Sequence, residues 1–282
     1  MKNITIVEQA DGNQFTFYNN RLGSILRNFE GFEYPMVRSS IEDVAGDYGA
    51  VYVNSKYGTR RVGINGDLVS SSIFSDRRLL LKALRQTGEI KLVKFQTYDN
   101  LLLQFEAEVT KVLNPYTHEI HSFLIELTAP DYRFYSQTQT SSLIDRTNLA
   151  GGTSIPAIIP MSFPLSTNPE TTINNVVTNQ GSEVTDPEFV IDGPGQDFLI
   201  RNVTTDKEFT LATILTSDDQ VIINVKNRTA ILNGTTNVYS DLTGDLWSLV
   251  PGDNEMRFFI GSGFVESQTS LIVRFRDAYG GI

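Results

Sequence analysis

PEFVIDGPGQDFLIRNVTTDKEFTLATILTSDDQVIINVKNRTAILNG, residues 187–234, decides how this chain folds. Short apolar clusters recur through it: Phe189-Val190-Ile191, Phe198-Leu199-Ile200, Phe209-Thr210-Leu211, Val221 to Val225 and Ala230-Ile231-Leu232. Turn formers separate them at Asp192-Gly193-Pro194-Gly195 and Asp218-Asp219, and Asn233-Gly234 closes the run. β-Branched and aromatic residues spaced by about ten positions, with Gly, Pro, Asn and Asp between them, read as strands joined by turns. The pattern continues through Met256-Arg257-Phe258 and Leu271 to Phe275. It predicts a β-sandwich or jelly roll over residues 181–282.

Towards the N-terminus the character changes. Residues 136–180 hold Gly151, Gly152, Pro156, Pro160, Pro164 and Pro169, with few charges. They keep Ile155, Ile158, Ile159 and Phe163. This predicts an extended arm with short strands. Residues 1–135 offer strand patterns at Ile4 to Val7, Phe15 to Phe17, Gly49 to Val53, Arg60 to Val69, Ile90 to Phe95, Leu101 to Val109 and Phe123 to Thr128. Asp11-Gly12 reads as the turn of a first hairpin, and Asn65-Gly66 as a turn or a strand end. One helix stands out, over about Asp76 to Thr87, with Ser75 as N-cap and Gly88 as its stop. Leu80, Leu81, Ala83 and Leu84 form its apolar side, and Arg77, Arg78, Lys82 and Arg85 the remainder. The expected architecture is mainly β. It has one helix in a β-rich α+β N-terminal domain (1–135), the arm (136–180) and a C-terminal β-sandwich (181–282).

Composition narrows the chemistry. With 40% apolar and 20% charged residues the chain can bury cores, and its longest apolar runs are far too short to cross a membrane. The first residues, MKNITIVEQADGNQF, lack the apolar stretch of a signal peptide. There is no cysteine, which excludes disulfides, thiolate catalysis and iron–sulfur clusters. The net charge of −10 is uneven: residues 136–282 hold 17 Asp/Glu and 8 Lys/Arg, while 1–135 are nearly balanced. An acidic half repels nucleic acid. The basic concentration lies in residues 56–94, at Lys56, Arg60, Arg61, Arg77, Arg78, Lys82, Arg85, Lys91 and Lys94. It reads as a solvated face, a surface for an acidic partner, or a lining that meets DNA phosphates.

Other candidates have plainer readings. His118 and His121 are the two histidines, and on a strand their spacing points them to opposite faces, which does not suit a metal. Asp218-Asp219 and Asp253-Asn254 read as solvated turns, not as a carboxylate pair across a cleft. Gly193-Pro194-Gly195 and Gly261-Ser262-Gly263 lack the strand-then-helix context of a phosphate loop. The Asn-x-Ser/Thr triplets at Asn3, Asn202, Asn227 and Asn233 reflect the turn preference of Asn and Thr.

A set of spaced motifs carries a family likeness. Asn179-Gln180-Gly181, Pro187 to Gly193, Ile200-Arg201-Asn202 to Phe209, Asp219 to Val225 and Ala230 to Gly234 follow one another in order. Trp247-Ser248-Leu249-Val250-Pro251-Gly252-Asp253-Asn254 closes the run and is the most specific of them. In the first half, Gly31 to Pro35, the Arg60-Arg61 strand, the Arg77–Arg85 helix and Ala129 to Tyr135 fall in matching order. The whole resembles the phage distal tail proteins. Asp206-Lys207 and Asp245-Leu246 depart from the usual residues and put the turn near 206 in question.

The resemblance implies a structural protein of the virion, assembled in the host cytoplasm. It implies a homo-hexameric ring at the tail tip that joins the tail tube protein to the tail-tip hub protein. The outer domain would be a galectin-like or jelly-roll sandwich docking side fibres or receptor-binding proteins. DNA would meet the ring only while passing its channel. No cofactor, metal, catalytic residue or membrane insertion is expected. Lys56, Arg60, Arg61, Arg77, Arg78, Lys82 and Arg85 become candidates for the ring interface or lumen. Trp247, Pro251, Gly252 and Asn254 are structural motif residues. The alternative is a lectin-like adhesion module with Trp247 and tyrosines as sugar platforms; a regular strand context favours Trp247 in a core.

Overall fold

The computed structural model describes residues 3–8, 14–18, 24–43, 50–69, 72–86, 88–114, 121–144, 175–262 and 269–282. The chain divides into two compact units: Met1–Thr138 together with Ala278–Ile282, and Gln139–Asp277.

Unit 1 contains β1 (Asn3–Glu8), β2 (Gln14–Tyr18), β3 (Ser24–Glu30), β4 (Val37–Asp43), β5 (Ala50–Tyr57), β6 (Arg60–Leu68), α1 (Ile73–Ala83), β7 (Ile90–Gln96), β8 (Leu102–Leu113), β9 (His121–Ala129) and β10 (Phe134–Ser136). The main sheet runs β2-β1-β7-β8-β9-β6-β3, with antiparallel neighbours. Its strands alternate as one buried face requires: Phe123, Ile125 and Leu127 of β9 point inward, with half-buried residues between them. Phe32, Phe95, Phe105 and Phe134 meet edge-on or stacked at the centre of this core, ring centroids 5.0–6.4 Å apart.

Three expectations about this unit change. The helix begins and ends earlier than its pattern predicts. Ser72 flanks it, the Asp76 amide donates to the Ser72 carbonyl, and Ser75 lies within the first turn with its hydroxyl bonded to the Ser72 carbonyl. Leu80, Ala83 and Leu84 are buried, while Leu81 is 39% exposed, so the buried side is narrower than read. Asn65-Gly66 is no turn; β6 runs straight through it. Gly66 is needed because a Cβ there would stand 2.2 Å from the Ile25 carbonyl oxygen of β3. The Asp11-Gly12 turn lies outside the described residues, although the β1–β2 pairing it predicts is present.

Strands β4 and β5 pair only with each other, in a two-stranded sheet whose described side chains are all exposed.

Unit 2 contains β11 (Thr140–Ile144), β12 (Asn175–Asn179), β13 (Glu188–Asp192), β14 (Gln196–Asn202), β15 (Lys207–Leu211), β16 (Gln220–Asn224), β17 (Thr229–Leu232), β18 (Thr236–Asn237), β19 (Leu242–Gly244), β20 (Gly252–Ser262) and β21 (Ser270–Phe275). One sheet runs β11-β21-β13-β16-β17-β18 and the other β12-β20-β14-β15-β19. Phe189, Ile191, Val221, Ile223 and Val273 of the first share one core with Phe198, Ile200, Phe209, Met256 and Phe258 of the second. That is a β-sandwich, and the clusters of residues 187–234 are its strands. Two stretches of the expected arm are sheet strands here, β11 and β12. The last strand, β22 (Ala278–Tyr279), lies in the stretch read as C-terminal domain but ladders with β10 of unit 1.

Candidate functional site

The basic stretch splits on folding. Arg60 is 1% exposed, which withdraws it from any interface or lumen. As the first residue of β6 it points inward, and a buried guanidinium must satisfy its donors. Its Nε donates to the Tyr132 carbonyl at 2.7 Å and its Nη1 to the Gly31 and Glu33 carbonyls at 2.6 Å. Its Nη2 donates to the Gly280 carbonyl. The guanidinium carbon sits 4.0 Å above the Phe134 ring. Burial pulls its pKa down to about 10, against the opposing pull of Glu33 and Asp131, so Arg60 stays charged at neutral pH. Two sequence motifs thus find their reason together: Gly31 to Pro35 and Ala129 to Tyr135 supply three of the four carbonyls that Arg60 gathers. Gly31 has φ +84°, and a Cβ there would overlap the Arg61 carbonyl.

The second motif carries its own clasp. Asp131 accepts hydrogen bonds from the Arg133 amide at 3.1 Å, Arg133 Nε at 3.0 Å and the Tyr135 hydroxyl at 2.7 Å. Burial pushes its carboxyl up, but these bonds and the Arg133 charge outweigh burial and hold its pKa at about 2.

Lys56 and Arg61 are exposed on β5 and β6. On α1, Arg78 and Lys82 are exposed, and Arg85 is exposed just beyond its end. Arg77 is half-buried, with its Nε on Asn114 Oδ1 at 2.8 Å. Phe74 and Leu79 are also more than half exposed, so the outer face of α1 mixes cations with apolar groups. Lys91, part of the same basic stretch, is buried beside Glu89, with Nζ–Oε2 3.7 Å.

In unit 2 the motif residues brace turns. Trp247 is 1% exposed and packs on Phe189 at a centroid distance of 5.0 Å, so it offers no platform to a sugar. Asn254 is fully buried. Its Nδ2 donates to the carbonyls of Val250 at 2.9 Å, Gly252 at 3.1 Å and Val177 at 3.3 Å. Its Oδ1 accepts from the Val250 amide and from Asn202 Nδ2. The Pro251-Gly252 turn, with Gly252 at φ +86°, is folded over this amide. Asn202 Oδ1 accepts the Thr205 amide, and Asn179 bridges the Gly181 amide and the Glu183 carbonyl. Three asparagines of the likeness are therefore turn braces inside the fold, a role that burial discloses and spacing does not. Asp206 takes φ +53°, the left-handed conformation for which a glycine is common, so the departure there keeps the turn.

The remaining candidates recede. His121 is buried with its ring 5.7 Å from Phe74, and His118 lies outside the described residues. Among the described residues no three metal-ligating side chains cluster. Asp219 closes its turn through Thr216 and Asn233, which lower its pKa.

A two-unit β-protein with a braced C-terminal sandwich defines the class, and comparison shows what its second half and its fold are similar to. Residues 180–279 match the family described as the siphovirus-type tail component, C-terminal domain (SPP1_Dit). The fold is shared along nearly the whole length with the Dit (gp 19.1) protein of SPP1, described as a paradigm of hub adsorption apparatus in Gram-positive infecting phages. The TM-score is 0.66 at 12% identity, covering 98% of both chains. A chain of the phage P2 baseplate in its activated conformation with Ca is similar at TM-score 0.52 and 11% identity, over 96% of this chain and 97% of that one. The form with Sr gives 0.51 and 11% over the same shares. No curated protein matches the sequence.

Proposed function

We propose that this protein is a structural ring component of the tail tip. Six copies would close into a ring joining tail tube to tail-tip hub, with side fibres or receptor-binding proteins docked outside and DNA passing through the channel. Catalysis has no part in this role. The observation that carries the reading is the fold likeness to the SPP1 Dit protein over 98% of both chains. The motif residues fit a scaffold, since they brace turns and cores instead of lining a cleft.

The test is solution mass by light scattering with negative-stain imaging of the same full-length sample. Six-fold rings with a central hole, alone or with the tube protein added, are the expected outcome. Monomers under both conditions overturn the ring.

A further inference from the structure

We propose that the cleft at the base of the β4–β5 hairpin binds acidic side chains of a second copy of this chain; this rests on the ring reading and names one contact of it. The cleft holds about 440 Å³, and Arg38, Ser40, Asn54, Lys56, Tyr57 and Tyr132 form most of its wall. Among the described residues no carboxylate lines it.

Arg38 and Lys56 are direct cross-strand partners, so their side chains leave the hairpin on the same face. Like charges directly opposite on paired strands are destabilising. An isolated two-stranded hairpin has little stability in reserve. Some cations of this chain have carboxylate partners: Arg27 with Asp67, Lys111 with Glu126, Arg201 with Asp206. Arg38 and Lys56 have none among the described residues. An anion seated between them converts the repulsion into two attractions.

The rest of the wall suits a side chain. Tyr57 and Tyr132 stack with centroids 4.5 Å apart and form a flat apolar flank for a methylene stem. Arg38 lies over Gly58, where a Cβ would come within 3.2 Å of its Nε. Two cations in a cleft this small match one or two carboxylates, whereas binding a nucleic-acid backbone takes a longer row of cations. The chain itself supplies the carboxylates: 33 Asp and Glu against 23 Lys and Arg, with the excess in residues 136–282. A closed ring sets two different patches of neighbouring copies against each other, so a cationic cleft on one can meet acidic surface on the next.

The experiment uses the full-length protein, the variant Arg38→Glu/Lys56→Glu and the size-conserving Arg38→Gln/Lys56→Gln. Lys207→Glu serves as a control for an exposed cation outside the cleft. Self-association is followed by sedimentation, and binding of a labelled hexaglutamate peptide or a short DNA duplex by anisotropy. Both cleft variants should weaken self-association at least tenfold while the control does not, and the peptide should bind the wild type and compete with association. Unchanged association in the cleft variants overturns the proposal and leaves the ring standing. Equal peptide binding by wild type and variants also overturns it, as does a preference for the duplex that depends on the two cations. Wild-type protein that stays monomeric with tube protein present overturns both readings.

Discussion

Arg60 shows what one buried cation can organise. Four backbone carbonyls from three separate segments converge on it, at Gly31 and Glu33, Tyr132 and Gly280. Lysine keeps the charge but cannot reproduce the planar fork. Arg60→Lys should therefore cost unit 1 about 3–5 kcal/mol, the scale of a broken buried charge network, read as a lowered thermal midpoint. A loss under 1 kcal/mol would show that water replaces the fork. Asp131 gives a pH signature. Its carboxyl sits at about 2 in the fold against an ordinary 3.8, so the stabilisation is complete above pH 4 and drains away between pH 4 and 2. It amounts to about 2 kcal/mol from the size of that displacement. Denaturant midpoints from pH 5 to pH 2.5 should fall less steeply in Asp131→Asn than in the wild type. Identical slopes would mean that other carboxylates govern acid unfolding.

Among the elements, α1 separates what periodicity shows from what it hides. The pattern announced a helix with a leucine side, but its limits and breadth followed from packing. Leu80 is fully buried and Leu81 is 39% exposed, although both belong to the same run. Leu80→Ala should cost about 3 kcal/mol and Leu81→Ala under 1 kcal/mol in chemical denaturation, because only the first leaves a cavity. Equal costs would restore the wider buried side. The sandwich strands were legible because each has an inward row of aromatic and branched residues closed by a turn signal. β4 was not legible: Val37 to Asp43 reads VRSSIED, with no buried face to impose alternation. The Asn65-Gly66 pair misled for a related reason, since close strand approach and a tight turn both select glycine. Arg60 looked like its basic neighbours for want of any sequence signal of burial; only its place opening an alternating strand beside Val62 and Ile64 hinted at it.

For the whole molecule, charge offers a test of the proposed assembly. Arg77, Arg78, Lys82 and Arg85 lie on or beside a helix face whose cations, Arg77 apart, are exposed, in a chain of net charge −10. Reversing all four should reduce ring yield in sizing and imaging, or lower ejection efficiency in assembled particles. Normal rings and normal infectivity would remove the helix from both interface and lumen. The unit organisation also bears on how the chain is made. Unit 1 is finished by β22 and by the Gly280 carbonyl, both supplied by residues that follow the whole sandwich in the chain. The entire sandwich emerges before them. Vectorial synthesis would then reverse the usual order: the sandwich is complete and free to fold while the first unit still lacks a strand and one acceptor for its central arginine. Removing residues 278–282 should lower the protease resistance of the first unit and spare the second. The signal for a competent first unit is therefore the arrival of residues 278–282, so a nascent chain stalled in the sandwich would present a first unit still unfinished.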